Sequence, residues 1–101
     1  MKRGVILINT ARGSIVSERA LVKAVEQGIV AGAGIDVTES EPLEAESKLR
    51  SLPNVILTPH FAWHSEESQV RLQQSAAEEV VRVLAGGLPK NLVNTEILTR
   101  R

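Results

Sequence analysis

Three short apolar runs, each giving way at once to polar or ionisable residues, constrain the fold of this sequence more than any other feature. Val5-Ile6-Leu7-Ile8 leads into Asn9-Thr10-Ala11-Arg12-Gly13, the run from Val30 to Val37 passes through Asp36 into an acidic loop, and Val55-Ile56-Leu57-Thr58 stops at Pro59-His60. A β-branched run that is apolar throughout, as Val5 to Ile8 is, reads as a strand covered on both faces, the pattern of a parallel sheet. The second run contains Ala31-Gly32-Ala33-Gly34, whose small side chains let a helix or another backbone approach closely.

The segments between the runs carry helical signals. Ser17 is placed to cap a helix, with Glu18 in its first turn where a negative charge meets the positive end of the helix dipole. Leu21, Ala24 and Val25 follow at helical spacing, and Gly28 supplies a stop. Ser65 is placed to cap a second, longer helix with Glu66 and Glu67 in its first turn. Val70, Ala77, Val80, Val81 and Leu84 form its apolar stripe, expected to serve core or interdomain packing, and Gly86-Gly87 end it. Thr38 to about Leu52 reads as an irregular loop in which Glu39, Glu44 and Glu46 are solvated, and Leu88 to Arg101 shows no strong period. The order strand, helix, strand, loop, strand, helix implies right-handed crossovers and an α/β fold with about three parallel strands.

Composition narrows the function classes. Twelve basic and twelve acidic residues cancel, and no run of Lys or Arg offers an electrostatic footprint for nucleic acid or an anionic membrane. Without cysteine there is no thiol chemistry, and the sequence suits a reducing cytoplasm. No apolar stretch is long enough for a membrane span. Aromatic side chains are confined to Phe61 and Trp63, so the core has to be built from Val, Ile, Leu and Ala.

Ligands of open parallel α/β sheets bind beyond the carboxyl ends of the strands. Arg12, Asp36 and His60 each follow or close a strand, and Glu41 lies in the loop after the second, so a parallel sheet gathers all four along one edge. A guanidinium such as Arg12 grips a carboxylate through two parallel hydrogen bonds and polarises an adjacent carbonyl. An imidazole such as His60 passes a proton near neutral pH, and a carboxylate such as Glu41 orients it and stabilises its charged form. Arg12, Glu41 and His60 together suit the redox interconversion of a 2-keto acid and a 2-hydroxy acid.

These residues also carry a resemblance. Val5 to Gly13, with Asn9-Thr10-Ala11-Arg12-Gly13 at its end, is similar to the arginine-bearing strand of the D-isomer-specific 2-hydroxyacid dehydrogenases. Ala31-Gly32-Ala33-Gly34-Ile35-Asp36-Val37 with Glu41-Pro42 resembles that family's Asp segment and catalytic Glu-Pro. Pro53-Asn54-Val55-Ile56-Leu57-Thr58-Pro59-His60 resembles the segment that ends in its catalytic histidine. Ala62-Trp63 with Ser65-Glu66 looks closest to the branch of glyoxylate or hydroxypyruvate reductase-like enzymes and C-terminal-binding corepressors. The resemblance implies a Rossmann-type domain, here an incomplete or half domain, in an oxidoreductase that uses NAD or NADP. It implies that Arg12 binds substrate, that His60 is the general acid and base, and that Glu41 is its partner. Thr10, Ala11, Arg12, Asp36 and His60 are implied around the cofactor, with Asp36 accepting a hydrogen bond from the nicotinamide carboxamide, and Trp63 at the substrate pocket.

Complete members of that family carry a separate substrate domain and a glycine-rich strand–helix turn. Residues 1–101 are accordingly expected to be the C-terminal part of an NAD-binding domain, inactive alone, whose partners are the N-terminal part of the same subunit, a small 2-hydroxy or 2-keto acid and further copies in a homo-oligomer. Gly32-x-Gly34 is not expected to cradle a pyrophosphate, because no helix starts behind it. His60 and His64 precede the second helix and do not share a helical face, so no metal site is expected. The reading from another class is an NAD(H)-sensing or assembly module that does not turn over substrate.

Overall fold

The computed structural model describes residues 1–98. Strand β1 (Val5–Asn9) is followed by helix α1 (Glu18–Glu26), strand β2 (Val30–Ile35), strand β3 (Val55–Leu57) and helix α2 (Glu66–Leu84). The chain divides into two compact units, Met1–Trp63 and the part that begins at His64. The first holds the whole sheet, with strands in the order β1-β2-β3 and both pairings parallel. Ile6 stands beside Gly32, Leu7 beside Ala33 and Ile8 beside Gly34, while Gly34 also stands beside Ile56 and Ile35 beside Leu57.

Helix α1 is built as its sequence signals suggest. The Ser17 hydroxyl accepts the Ala20 N–H, and Glu18 occupies the first turn. At the other end Gly28 takes φ of 65°, the left-handed geometry in which a Cβ is strained. Gly28 N–H then reaches the Val25 carbonyl and Ile29 N–H the Ala24 carbonyl, the paired bonds of a Schellman cap. The buried face of α1 is Leu21, Val22 and Val25, with Ala24 only half-buried. These side chains form one core with Val30, Ala33, Ile35 and Leu49, against which Leu7, Leu43, Leu52, Val55 and Leu57 pack.

That core lies on one face of the sheet. The expectation that β1 is covered on both faces is corrected: Ile6, Ile8 and Ile56 on the opposite face are 64%, 73% and 71% exposed. Two successive crossovers of one hand that step the same way across a parallel sheet fall on the same side, so these 63 residues have nothing with which to cover the other. The strands also stop one or two residues earlier than the apolar runs suggest, at Ile35 and Leu57. Asp36 and Thr58 still donate their N–H groups to the neighbouring strand, to Asn9 and Ile35.

The acidic loop is more ordered than its composition suggests. Lys48–Ser51 form a 3₁₀ turn that drives Leu49 into the core at 1% exposure. The Arg50 guanidinium spans the loop, donating from Nε to the Glu44 carbonyl and from Nη2 to the Leu43 carbonyl. In the second unit, α2 opens with a reciprocal capping box between Ser65 and Ser68 and closes at Gly86, φ 83°. No residue of α2 is buried, so of the two uses expected for the stripe from Val70 to Leu84, core packing is not seen among the described residues. Thr95–Leu98 make a 3₁₀ turn within the stretch expected to lack a period, whose residues 99–101 lie outside the described part.

Candidate active site

The carboxyl ends of the three strands sit side by side, and each delivers one part of the site. At the end of β1 the buried Asn9 folds the chain back on itself. Its Oδ1 accepts the Ala11 N–H at 3.2 Å and its Nδ2 donates to the Arg12 carbonyl at 3.0 Å. This side-chain turn satisfies a buried amide and fixes the backbone of Arg12, while the Arg12 side chain stays exposed with Nη1 on the Ala11 carbonyl. Thr10 and Ala11, on the same turn, are exposed as well.

Gly13 follows, buried where this turn meets the loop after β2. A Cβ built there would lie 1.9 Å from the Thr38 carbonyl oxygen, so no other residue fits without moving that loop. Thr38 in turn donates its N–H to Glu41 Oε1 at 3.2 Å. The turn that carries Arg12 and the loop that carries Glu41 are thus in direct backbone contact.

Glu41 Oε2 lies 2.8 Å from His60 Nδ1, with both side chains somewhat under half exposed. An ionised carboxylate only accepts, so the proton of this bond sits on Nδ1 and Nε2 is the ring nitrogen left for a substrate. The Glu41 carboxyl is held below its usual value of 4.5, first by the His60 hydrogen bond, next by the Thr38 N–H, with the charges of His60 and Arg12 adding to these. Glu41 and His60 are thus directly paired, while Arg12 acts on Glu41 through its charge alone.

Asp36 is 5% exposed, yet its carboxylate is well provided for. Oδ1 accepts the Thr58 hydroxyl and the Phe61 N–H, and Oδ2 accepts the Ala62 N–H at 3.0 Å. Its carboxyl is held below the usual 3.8, chiefly by the Thr58 hydroxyl against the opposing effect of burial, and then by the two amides. His60 takes φ of 56°, left-handed for a residue with a Cβ, and donates its N–H to the Asp36 carbonyl at 2.8 Å. Trp63 and Phe61 stand edge to face with ring centres 6.2 Å apart. Phe61 is exposed.

Beside the His60–Glu41 pair lies a cleft of about 350 Å³, walled by Pro42, Leu43, Leu57 and Arg50. Asn9, Gly13, Thr58 and Arg50 complete this end of the sheet, and nothing in the sequence pattern singles out the last three. A polar residue in the last place of an apolar strand is the one signal that points to Asn9. No group of three His, Cys, Asp or Glu capable of holding a metal occurs among the described residues. Nor, among them, is any helix long and apolar enough to cross a membrane.

Thr10 offers a hydroxyl and Asp36 a carboxylate at the same strand ends as Arg12 and His60, groups of the kind a nicotinamide would need, while both backbone polar groups of Ala11 are engaged within its own turn. Both described α-helices begin at a serine cap instead of a glycine-rich turn after a strand, so neither has the form of a pyrophosphate cradle.

Comparison with known proteins agrees with the fold. A glyoxylate reductase from Korarchaeum cryptofilum is 45% identical over all 101 residues, and the chain spans about 30% of the length of that relative. The solved TT0316 protein from Thermus thermophilus superposes with a TM-score of 0.79 at 45% identity, over 92% of this chain and 30% of that one. A D-isomer specific 2-hydroxyacid dehydrogenase from Xanthobacter autotrophicus Py2, solved in complex with NADPH and MES, gives 0.79 at 38% identity, over 92% of this chain and 38% of its own. The family described as D-isomer specific 2-hydroxyacid dehydrogenase, NAD binding domain, matches residues 1–62, and the chain belongs to that family.

Proposed function

We propose that this chain supplies the proton-transfer and carboxylate-binding residues of an NAD- or NADP-dependent oxidoreductase that interconverts a 2-keto acid and a D-2-hydroxy acid. The observation that carries the reading is the 2.8 Å pair between His60 Nδ1 and Glu41, which leaves Nε2 as the group that gives or takes the substrate proton. When bound, the nicotinamide supplies the hydride that the carbonyl carbon accepts. His60 Nε2 gives a proton to the carbonyl oxygen, and Glu41 holds the imidazole in one tautomer and offsets its positive charge. Arg12 binds the substrate carboxylate and polarises the carbonyl. Thr10, Ala11 and the Asp36 carboxylate line the nicotinamide side, and Trp63 closes the substrate side. Asp36 Oδ2 accepts one amide and retains capacity for a carboxamide donor.

The reading needs a longer subunit, because the pyrophosphate cradle and a second wall for the cleft have to come from other residues. It suits a cytoplasmic enzyme, in keeping with a chain that has no cysteine. A homo-oligomer is consistent with the exposed Ile6, Ile8 and Ile56. An imidazole ordered by a carboxylate favours turnover over sensing, since a sensor gains nothing from a poised proton.

The test is a chimera in which these residues replace the matching 101 residues of the Korarchaeum relative. The chimera is expected to oxidise NADH or NADPH with glyoxylate or hydroxypyruvate. A chimera that folds and binds dinucleotide but consumes none would overturn the proposal.

A further inference from the structure

Asp36 does more than a cofactor contact requires. Every backbone N–H from His60 to Ala62 ends on this one residue: His60 on its carbonyl, Phe61 on Oδ1 and Ala62 on Oδ2. The Thr58 hydroxyl ends there too, and residue 59 is a proline with no N–H to place. Within this short turn His60 takes a left-handed φ of 56°, which a residue with a Cβ seldom adopts unless its surroundings hold it there. The one buried carboxylate among the described residues is therefore wrapped by the turn that aims the imidazole.

We propose that Asp36 is a positioning residue: it holds His60 in the left-handed conformation from which the imidazole reaches Glu41. The proposal rests on the reading of His60 as the proton-transfer group, but the geometry it explains is present without substrate or cofactor. Asp36 is itself anchored, because its N–H donates to the Asn9 carbonyl on the neighbouring strand. Asn9 in turn fixes the backbone of Arg12. One line of hydrogen bonds thus runs from Arg12 through Asn9 and Asp36 to His60, setting the substrate-binding and proton-transfer groups in a common frame. Asp36→Asn keeps the size of the side chain but turns one acceptor oxygen into a donor facing an N–H or a hydroxyl.

The experiment is NMR on the full 101-residue chain, comparing the native protein with Asp36→Asn and Thr58→Val. It reads amide exchange at Phe61 and Ala62, and the titration midpoint of the Glu41 carboxyl, on which the Thr38 N–H, His60 and Arg12 act directly. Asp36→Asn is expected to speed exchange at both amides about tenfold or more, with the α1 and β1–β2 amides unchanged. The Glu41 midpoint is expected to rise towards its usual 4.5 as the bond to His60 loosens. Thr58→Val, which removes only the hydroxyl, is expected to move both readouts the same way by less. If Asp36→Asn unfolds the chain, Thr58→Val decides alone. Unchanged exchange, or faster exchange with an unmoved Glu41 midpoint, overturns the proposal. Neither readout involves turnover, so an inactive chimera that shows both effects would sink the catalytic reading and leave this one standing.

Discussion

Glu41 ties a loop to a strand end by accepting two hydrogen bonds, one from the Thr38 N–H and one from His60 Nδ1. Its folded pKa lies below its unfolded one. The stabilisation from this pairing is therefore fully present above the usual value of 4.5 and is lost as pH falls through the folded value. Carbon-13 titration of the Glu41 carboxyl is expected to give a midpoint below 4.5 that moves towards that value in His60→Gln, where the Thr38 N–H still acts to lower it. Gly13→Ala is expected to be the most damaging conservative change in the site, since its Cβ would fall 1.9 Å from a backbone oxygen. We expect a loss of about 1–3 kcal/mol by chemical denaturation, in the range of overpacked sites, together with a weakened Glu41–His60 pair. Arg12, Glu41 and His60 stand out in the sequence because of their residue types and their places in the segments that follow the three apolar runs. Gly13 and Thr58 do not, because one acts through the space it leaves for Thr38 and the other through a carboxylate 22 residues away.

Elements were readable where their signals are local. Serine caps, acidic first turns and terminal glycines marked both helices, and both end in Schellman geometry. Leu21→Ala, in the centre of the buried face of α1, is expected to cost about 2–5 kcal/mol, measured by urea unfolding of the sheet unit. Ser65→Ala breaks the capping box of α2 and is expected to cost about 1 kcal/mol, read as lower helix content by circular dichroism and a frayed first turn. What local pattern does not convey is which polypeptide covers an apolar surface. An apolar run such as Val5 to Ile8 reads the same whether its second face is packed by its own segment or by another, and the stripe of α2 has the same ambiguity. Leu49 illustrates the converse, a core residue set in a loop whose charged neighbours suggested solvent.

At the scale of the whole molecule, the described residues hold a parallel sheet with one packed face and a site with one wall. Ile6, Ile8 and Ile56 flank Gly32 and Gly34 on the open face, a shallow apolar trough of a kind that soluble proteins keep covered. The residues proposed to meet a nicotinamide lie at the carboxyl end of the sheet, and neither described α-helix has the form of a pyrophosphate cradle. The 101 residues alone are accordingly expected to show no NADH oxidation with glyoxylate, hydroxypyruvate or pyruvate, and turnover abolished by His60→Gln would refute this. The central claim, that His60 moves the substrate proton while Glu41 supports it, is tested most directly by kcat in the active chimera with His60→Gln and Glu41→Gln. The account predicts a fall of about 10²–10⁴-fold for His60→Gln and a smaller one for Glu41→Gln, with dinucleotide affinity retained in both. A His60→Gln chimera that keeps the parent kcat would contradict it.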